Sequence, residues 1–263
     1  MSYKPFAAAR ALIQGAKPTR RELLQGAGEG LVALVTAATG VNAIALLTQT
    51  PANKQLDAFP ESIPGAYDVK KHKIIDAQYC LVHVRQMHDA PDFAPELAND
   101  AQTREIQNDI YKILTYLVDK NVMHEIYVEG ITSEREDDAH NVLTDRRLPP
   151  PEFAGAIGRI AQERNVRIRG ADTAEALNRA GDAFRRYGAG EKLPESTLTA
   201  VGEQREDALL ELIVQRSAPL AVTVFGGRHS WVNNVNKWNE KHPEKKYSLI
   251  VVTPEAFHKY VKN

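Results

Sequence analysis

Four side chains that can bind a ligand or move a proton follow short apolar runs at distant points of the chain. His88, Glu129, Arg169 and His229 each lie at or just after the end of such a run. Two imidazoles and one carboxylate can hold a divalent metal ion, which then acidifies a bound water or polarises a carbonyl group. We therefore predict His88, Glu129 and His229 as catalytic and metal-ligating residues. Arg169 is predicted to bind substrate beside them.

The turn Gly226-Gly227-Arg228-His229 is the most specific of these motifs. Two glycines permit a tight turn and a close approach of the backbone to a ligand, which favours a functional role for His229. His88 has weaker support, because a single histidine at a strand end often makes only a structural hydrogen bond. Glu129 precedes Gly130, and a carboxylate at a buried strand end has to be paired or coordinated.

Two arginines and a glutamine are predicted to bind substrate around these residues. The planar guanidinium groups of Arg85 and Arg228 suit a carboxylate or a phosphate. Gln86 has no group that titrates near neutral pH, so proton abstraction falls to Glu129, a histidine or a metal-bound water. The sequence thus predicts a small-molecule or peptide ligand with an anionic group.

The segments that must position this site alternate between strand and helix patterns. The predicted strands are Cys80–Arg85, Ile126–Val128, Val166–Ile168, Val222–Phe225 and Leu249–Val252. Helical spacing of apolar residues is found in 106–118, 152–164, 174–186, 198–215 and 231–238. Because parallel neighbours need crossover connections, this order predicts an α/β fold with a mainly parallel sheet and helices on both faces. Ligands then bind beyond the carboxyl ends of the strands.

Composition excludes several classes of function. Lys and Arg total 33 against 34 for Asp and Glu, so no basic excess favours nucleic acid as a partner. Cys80 is the only cysteine, which excludes an intramolecular disulfide and a thiolate metal cluster. No G-x-S-x-G nucleophile elbow is present, which argues against a serine hydrolase. The sequence does not indicate an oligomeric state.

Residues 1–50 have two interpretations. Arg20-Arg21 precede a charge-free run from Leu31 to Leu47, an order typical of a twin-arginine export signal, and Val41-Asn42-Ala43 would suit cleavage. This interpretation predicts a periplasmic or extracellular protein, with membrane contact only through an uncleaved N-terminal segment. The alternative is an ordinary N-terminal helix of a cytoplasmic protein. Both interpretations stand at this stage.

Three regions follow from these patterns. Residues 51–73 have turn residues, scattered charge and no sustained periodicity, which predicts a linker after the N-terminal segment. Residues 74–263 are predicted to form a single α/β domain. Within that domain, the acidic segment from Glu134 to His140 is predicted as a charged surface loop, or as a lid over the site.

A resemblance to a known superfamily rests on four parts of the chain. These are Gln86-Met87-His88, the helix residues Gln102, Gln107 and Ile110, the strand end Val128-Glu129-Gly130 and the turn Gly226-Gly227-Arg228-His229. Together they resemble the Tiki/TraB/ChaN/erythromycin-esterase superfamily, whose members share two GxxH motifs and an intervening glutamate on an α/β core. The resemblance spans roughly Tyr79 to Pro254. It implies that His88, Glu129 and His229 lie at the active or ligand site.

The first motif departs from the superfamily pattern. It contains Arg85 where the superfamily has glycine, and Gln86 where several members have glutamate. One hypothesis is an exported hydrolase that uses a divalent metal and holds an anionic substrate with its arginines. The other is a non-catalytic protein that binds a ligand such as haem, as the haem-binding ChaN-like members suggest, with Gln86 marking lost chemistry.

Overall fold

Six strands and eight helices make up the described part of the chain. The computed structural model describes residues 51–87, 101–144, 155–164, 166–227, 229 and 231–260, all within one unit from Pro51 onward. The strands are β1 (Ala66–His72), β2 (Tyr79–Gln86), β3 (Glu125–Thr132), β4 (Arg167–Asp172), β5 (Leu220–Gly226) and β6 (Tyr247–Pro254). The helices are α1 (Pro51–Ala58), α2 (Ala101–Asp119), α3 (Glu136–Thr144), α4 (Gly155–Arg164), α5 (Ala174–Gly188), α6 (Glu195–Gln215), α7 (Trp231–Lys241) and α8 (Glu255–Tyr260).

The six strands form one sheet in the order β1-β6-β2-β5-β3-β4. β1 runs antiparallel to β6, and the other pairs are parallel. Helices follow the parallel strands and connect each to the next, as crossover connections require. The predicted α/β fold with a mainly parallel sheet is therefore confirmed, and all five predicted strands are present.

The sheet is buried on both faces, which explains its near-continuous apolar strands. Successive side chains point to opposite faces, so on β2 Val82 and Val84 enter one core while Leu81 enters the other. Helices α1, α2, α4 and α8 cover the first face through Leu56, Ile110, Ile160 and Phe257. Helices α6 and α7 cover the second face through Leu209, Ile213, Trp231 and Val235.

The segment predicted as a linker, residues 51–73, is instead part of the domain. It forms α1, whose Leu56 is buried in the first core, and the edge strand β1. The Asn53 amide nitrogen donates hydrogen bonds to the Ile74 and Ile75 carbonyls at 2.9 and 2.5 Å. β1 lacks an apolar run because an edge strand is half exposed, and Lys70 and Lys71 suit that position.

Two strands are longer than predicted. β3 continues past Glu129 to Thr132, and β4 continues past Arg169 to Asp172. Neither residue therefore lies at the end of its strand, which corrects the prediction. The segment predicted as a charged loop forms a 3-10 turn (Ser133–Arg135) and helix α3.

The export-signal prediction concerns residues 1–50, including Arg20 and Arg21, and lies outside the described residues. Among the helices that are described, none combines the length and the apolar character needed to cross a membrane.

Cys80 is fully buried on β2, and burial raises the pKa of its thiol to about 12, outweighing the opposing charge of Lys71. The thiol is therefore protonated at neutral pH and shielded from solvent, and both properties suppress its reactivity. We expect Ellman's reagent to label the native protein very slowly and the guanidinium-unfolded protein rapidly, to one thiol per chain. Rapid labelling under native conditions would contradict the burial of Cys80.

Candidate functional site

The candidate site lies where β3, β5 and the turn after β5 meet. Glu129 lies one position beyond the paired residues Val128 and Val224. Its side chain reaches across to β5, where Oε2 accepts a hydrogen bond from the Gly226 amide at 2.6 Å. Glu129 is only 4% exposed. A carboxylate on β3 is thus fixed against the end of β5.

The turn after β5 is tied to the end of β2. The Gly227 amide donates to the Gln86 carbonyl at 2.6 Å, and the His229 amide donates to the Gly226 carbonyl at 3.1 Å. A Cβ atom on Gly226 would lie 3.1 Å from His229 Cδ2, and one on Gly227 would lie 2.2 Å from Phe257 Cζ. A side chain at Gly227 would therefore force Phe257 to move, and one at Gly226 would press against His229.

His229 forms a carboxylate–histidine pair with Glu206 of α6. Nδ1 of His229 lies 2.7 Å from Oε1 of Glu206. Because an ionised carboxylate only accepts hydrogen bonds, Nδ1 carries the proton in this pair and Nε2 is left as the basic nitrogen. Nε2 lies 3.8 Å from Glu129 Oε1, and the His229 side chain is 18% exposed. The basic nitrogen thus faces a second carboxylate.

A buried arginine links Glu129 to a third carboxylate. Arg205 Nη1 donates to Glu129 Oε1 at 2.8 Å, while its Nε and Nη2 donate to the two oxygens of Asp172 at 2.7 and 2.8 Å. Burial lowers the pKa of Arg205, but the hydrogen bonds and charges of Asp172 and Glu129 outweigh burial and hold that pKa above its ordinary value. Arg205 is therefore a permanent cation beneath the site.

His83 is buried on β2, and its ring centroid lies 5.7 Å from that of Trp231. It is 1% exposed, and its Nε2 lies 3.0 Å from the Phe225 carbonyl oxygen. Burial lowers the pKa of His83 to about 3, more than the hydrogen bond raises it. His83 is therefore neutral at ordinary pH, and Nε2 is its donor nitrogen.

Of the seven predicted site residues, two come together, two are not described, and three have other surroundings. Glu129 and His229 come together as described, whereas His88 and Arg228 lie outside the described residues. Arg85 donates from Nε and Nη2 to the Gly227 carbonyl at 3.1 and 2.7 Å, so it braces the turn.

Gln86 is 4% exposed at the end of β2, beside the turn. Within the described part of the chain its Nε2 has no hydrogen-bond partner.

Arg169 does not join Glu129 and His229. It pairs with Glu125 at 2.8 Å and with Glu136 of α3 at 2.9 Å. Because β4 runs on to Asp172, it is Asp172 and not Arg169 that reaches the site. The predicted position of Arg169 is therefore wrong.

The described donors fit a divalent metal poorly. Both oxygens of Glu129 already accept hydrogen bonds, Oε1 from Arg205 and Oε2 from Gly226, and a cation at Oε1 would meet the charge of Arg205. Among the described residues, no group of three or more His, Cys, Asp or Glu side chains is arranged to hold a metal ion. A metal site formed by His88, Glu129 and His229, as predicted, would need His88, which lies outside the described residues.

Comparison with protein-family models, with curated proteins and with solved structures gave no match. Function is therefore inferred from the geometry of the site.

Arg205, Glu206 and Asp172 were not predicted as site residues. A signal for two of them was present in the sequence of α6. Arg205 and Glu206 precede Leu209 and Leu210 by four positions, so they share the buried face of that helix. Charged residues in line with an apolar stripe are buried only when they are paired, and their partners were not identifiable from the sequence.

Proposed function

We propose that the protein is a hydrolase in which His229, oriented by Glu206, activates a water molecule. The observation that carries this proposal is the 2.7 Å contact between Glu206 Oε1 and His229 Nδ1. That contact leaves Nε2 free to accept a proton, and the His229 side chain is 18% exposed. A carboxylate that holds an imidazole in one tautomer and stabilises its protonated form is a recurrent device of general-base catalysis.

The water molecule would lie to one side of Nε2 of His229 and Oε1 of Glu129, within hydrogen-bond distance of both. These atoms are 3.8 Å apart, too far for a direct hydrogen bond but close enough for one water to contact both. His229 takes one proton as the water oxygen attacks a carbonyl or phosphoryl centre. The imidazole then returns that proton to the leaving group, so that one water molecule is consumed for each bond cleaved.

An anionic substrate group would need cations beside this site. The ion pairs that link His229 to its neighbours involve the carboxylates of Glu129, Glu206 and Asp172 and the guanidinium of Arg205. The binding of an anion therefore depends on Arg85 and Arg228. The metal-dependent form of the hypothesis depends on His88 as a further ligand. The resemblance to the Tiki/TraB/ChaN/erythromycin-esterase superfamily agrees with roles for Glu129 and His229. Membership of that superfamily stays a prediction.

The test is a hydrolysis assay with p-nitrophenyl acetate, p-nitrophenyl butyrate, p-nitrophenyl phosphate and bis-p-nitrophenyl phosphate, each with and without EDTA. We expect His229→Ala to lower kcat for the accepted substrate by about 100- to 10,000-fold, the range typical of a general base. Glu206→Gln should cause a smaller loss, because the imidazole is kept. Loss of turnover with EDTA would support the metal-dependent form.

The matched control is His72→Ala. His72 is an exposed histidine on β1, paired with Leu249 near the start of β6 and so at the opposite end of the parallel strands. It should keep wild-type turnover. Equal activity of wild type and folded His229→Ala would overturn the proposal. Absence of turnover, together with a haem absorption spectrum that requires His229, would support the ligand-binding alternative instead.

A further inference from the structure

Helix α6 carries two consecutive charged residues that contact two different members of the site. Arg205 reaches Glu129 on β3, and Glu206 reaches His229 after β5. The two side chains are 7% and 4% exposed. A shift of α6 along its axis would therefore disturb both contacts together, and the distance between Glu129 and His229 depends on this helix.

The guanidinium group of Arg205 is fixed at all three nitrogens. Two nitrogens bind Asp172 in a bidentate arrangement, and the third binds Glu129. Asp172 is fully buried and also accepts a hydrogen bond from the Gly130 amide at 2.8 Å. Bidentate pairs fix the plane of an arginine as well as its charge. Asp172 thus sets the plane in which Arg205 presents its third nitrogen.

Each oxygen of Glu129 is held by a different element. Oε1 binds Arg205 of α6, and Oε2 binds the Gly226 amide of β5. An ionised carboxylate buried to this extent needs a counter-charge to be tolerated. Arg205 supplies that charge and also fixes the rotation of the carboxylate, so that Oε1 faces His229.

We propose that Arg205, held in place by Asp172, is a positioning residue that keeps the Glu129 carboxylate directed at His229. This role rests on the proposed function, in which Glu129 and His229 share a water molecule. Neither Arg205 nor Asp172 touches that water. Together they set the place and the charge of the carboxylate that does.

The test compares Arg205→Gln, Arg205→Lys and Asp172→Asn. We expect Arg205→Gln to lower kcat by about 100-fold with a much smaller change in KM. Displacing a catalytic group by about 1 Å can lower the rate by about this factor. Arg205→Lys and Asp172→Asn should lower kcat by smaller factors, because each variant keeps part of the arrangement that holds Glu129.

A second readout does not depend on turnover. The Gly226 amide donates to Glu129 Oε2 over 2.6 Å, so its proton resonance reports the place and charge of that carboxylate. We expect this resonance to move upfield in Arg205→Gln and, by less, in Asp172→Asn. If no substrate is ever hydrolysed, the proposed function fails, while an upfield shift would still support the positioning role.

The control is Arg216→Gln, which removes an arginine paired with Glu136 at 2.6 Å and should leave kcat and the Gly226 resonance unchanged. If Arg205→Gln does not fold, the double variant Arg205→Gln with Asp172→Asn is used in its place, because it removes one buried charge of each sign. A folded variant without Arg205 that keeps the wild-type kcat and Gly226 resonance would overturn the proposal.

Discussion

Acidification from pH 6.5 towards 3 is expected to destabilise the protein through His83. Burial holds the pKa of this imidazole at about 3 in the folded chain, against an ordinary value of 6.5. In that window the unfolded chain binds a proton at His83 and the folded chain does not. The His83 contribution is therefore fully present above pH 6.5 and is lost as the pH falls, by about 1.4 kcal/mol per pH unit.

The measurement is the free energy of unfolding in urea at several pH values. Buried carboxylates also titrate in this range, so the informative quantity is the difference between wild type and His83→Gln. A glutamine amide can still donate to the Phe225 carbonyl, the contact that His83 makes at 3.0 Å, but it has no proton to gain. Identical pH dependence in both proteins would show that His83 is not buried in its neutral form.

Replacing Gly170 with alanine is expected to destabilise the fold strongly. A Cβ atom at this position in β4 would lie 2.4 to 2.5 Å from backbone atoms of Thr132 and Ser133. Backbone atoms cannot rotate away as a side-chain tip can, so β3 and β4 would have to separate. Overpacking of this kind costs about 1 to 3 kcal/mol and sometimes more.

Gly181→Ala provides the matched control, since it adds the same methyl group within helix α5. The nearest atom to its Cβ would be Arg185 Nη1 at 3.6 Å, an ordinary contact. Alanine is favoured over glycine in a helix interior by up to about 1 kcal/mol. In urea, the free energy of unfolding should therefore fall for Gly170→Ala and rise for Gly181→Ala. Similar changes in both would refute the steric account of Gly170.

Strand positions followed from the sequence wherever a strand is buried on both faces. An example is the apolar run of β5, which contains Val222, Val224 and Phe225 and has the length and composition of a buried strand. β1 was not predicted because its polar side chains, such as Lys70 and Lys71, break the apolar pattern. The antiparallel edge, unlike the parallel centre, thus leaves little trace in the sequence.

The meeting of Glu129 and His229 could be predicted because parallel strands bring their carboxyl ends to one edge. Glu206 could not be assigned to His229, since that contact depends on how far α6 extends and how it packs. Arg169 was misplaced because the end of β4 was predicted too early. The strand was predicted to close at Ile168, so that Arg169 was placed at the edge that Asp172 reaches.

β1 and β2 are neighbours in the sequence but not in the sheet, because β6 lies between them and pairs with both. During translation, β2 is complete at Gln86, whereas β6 is complete only at Pro254. At typical synthesis rates this interval lasts roughly 8 to 34 s. During this interval the edge of β2 that later pairs with β6 is unpaired on that side. If β1 paired with this edge first, β6 could not insert between them. Such long-range pairing predicts slow folding and a nascent chain that gains from chaperone protection.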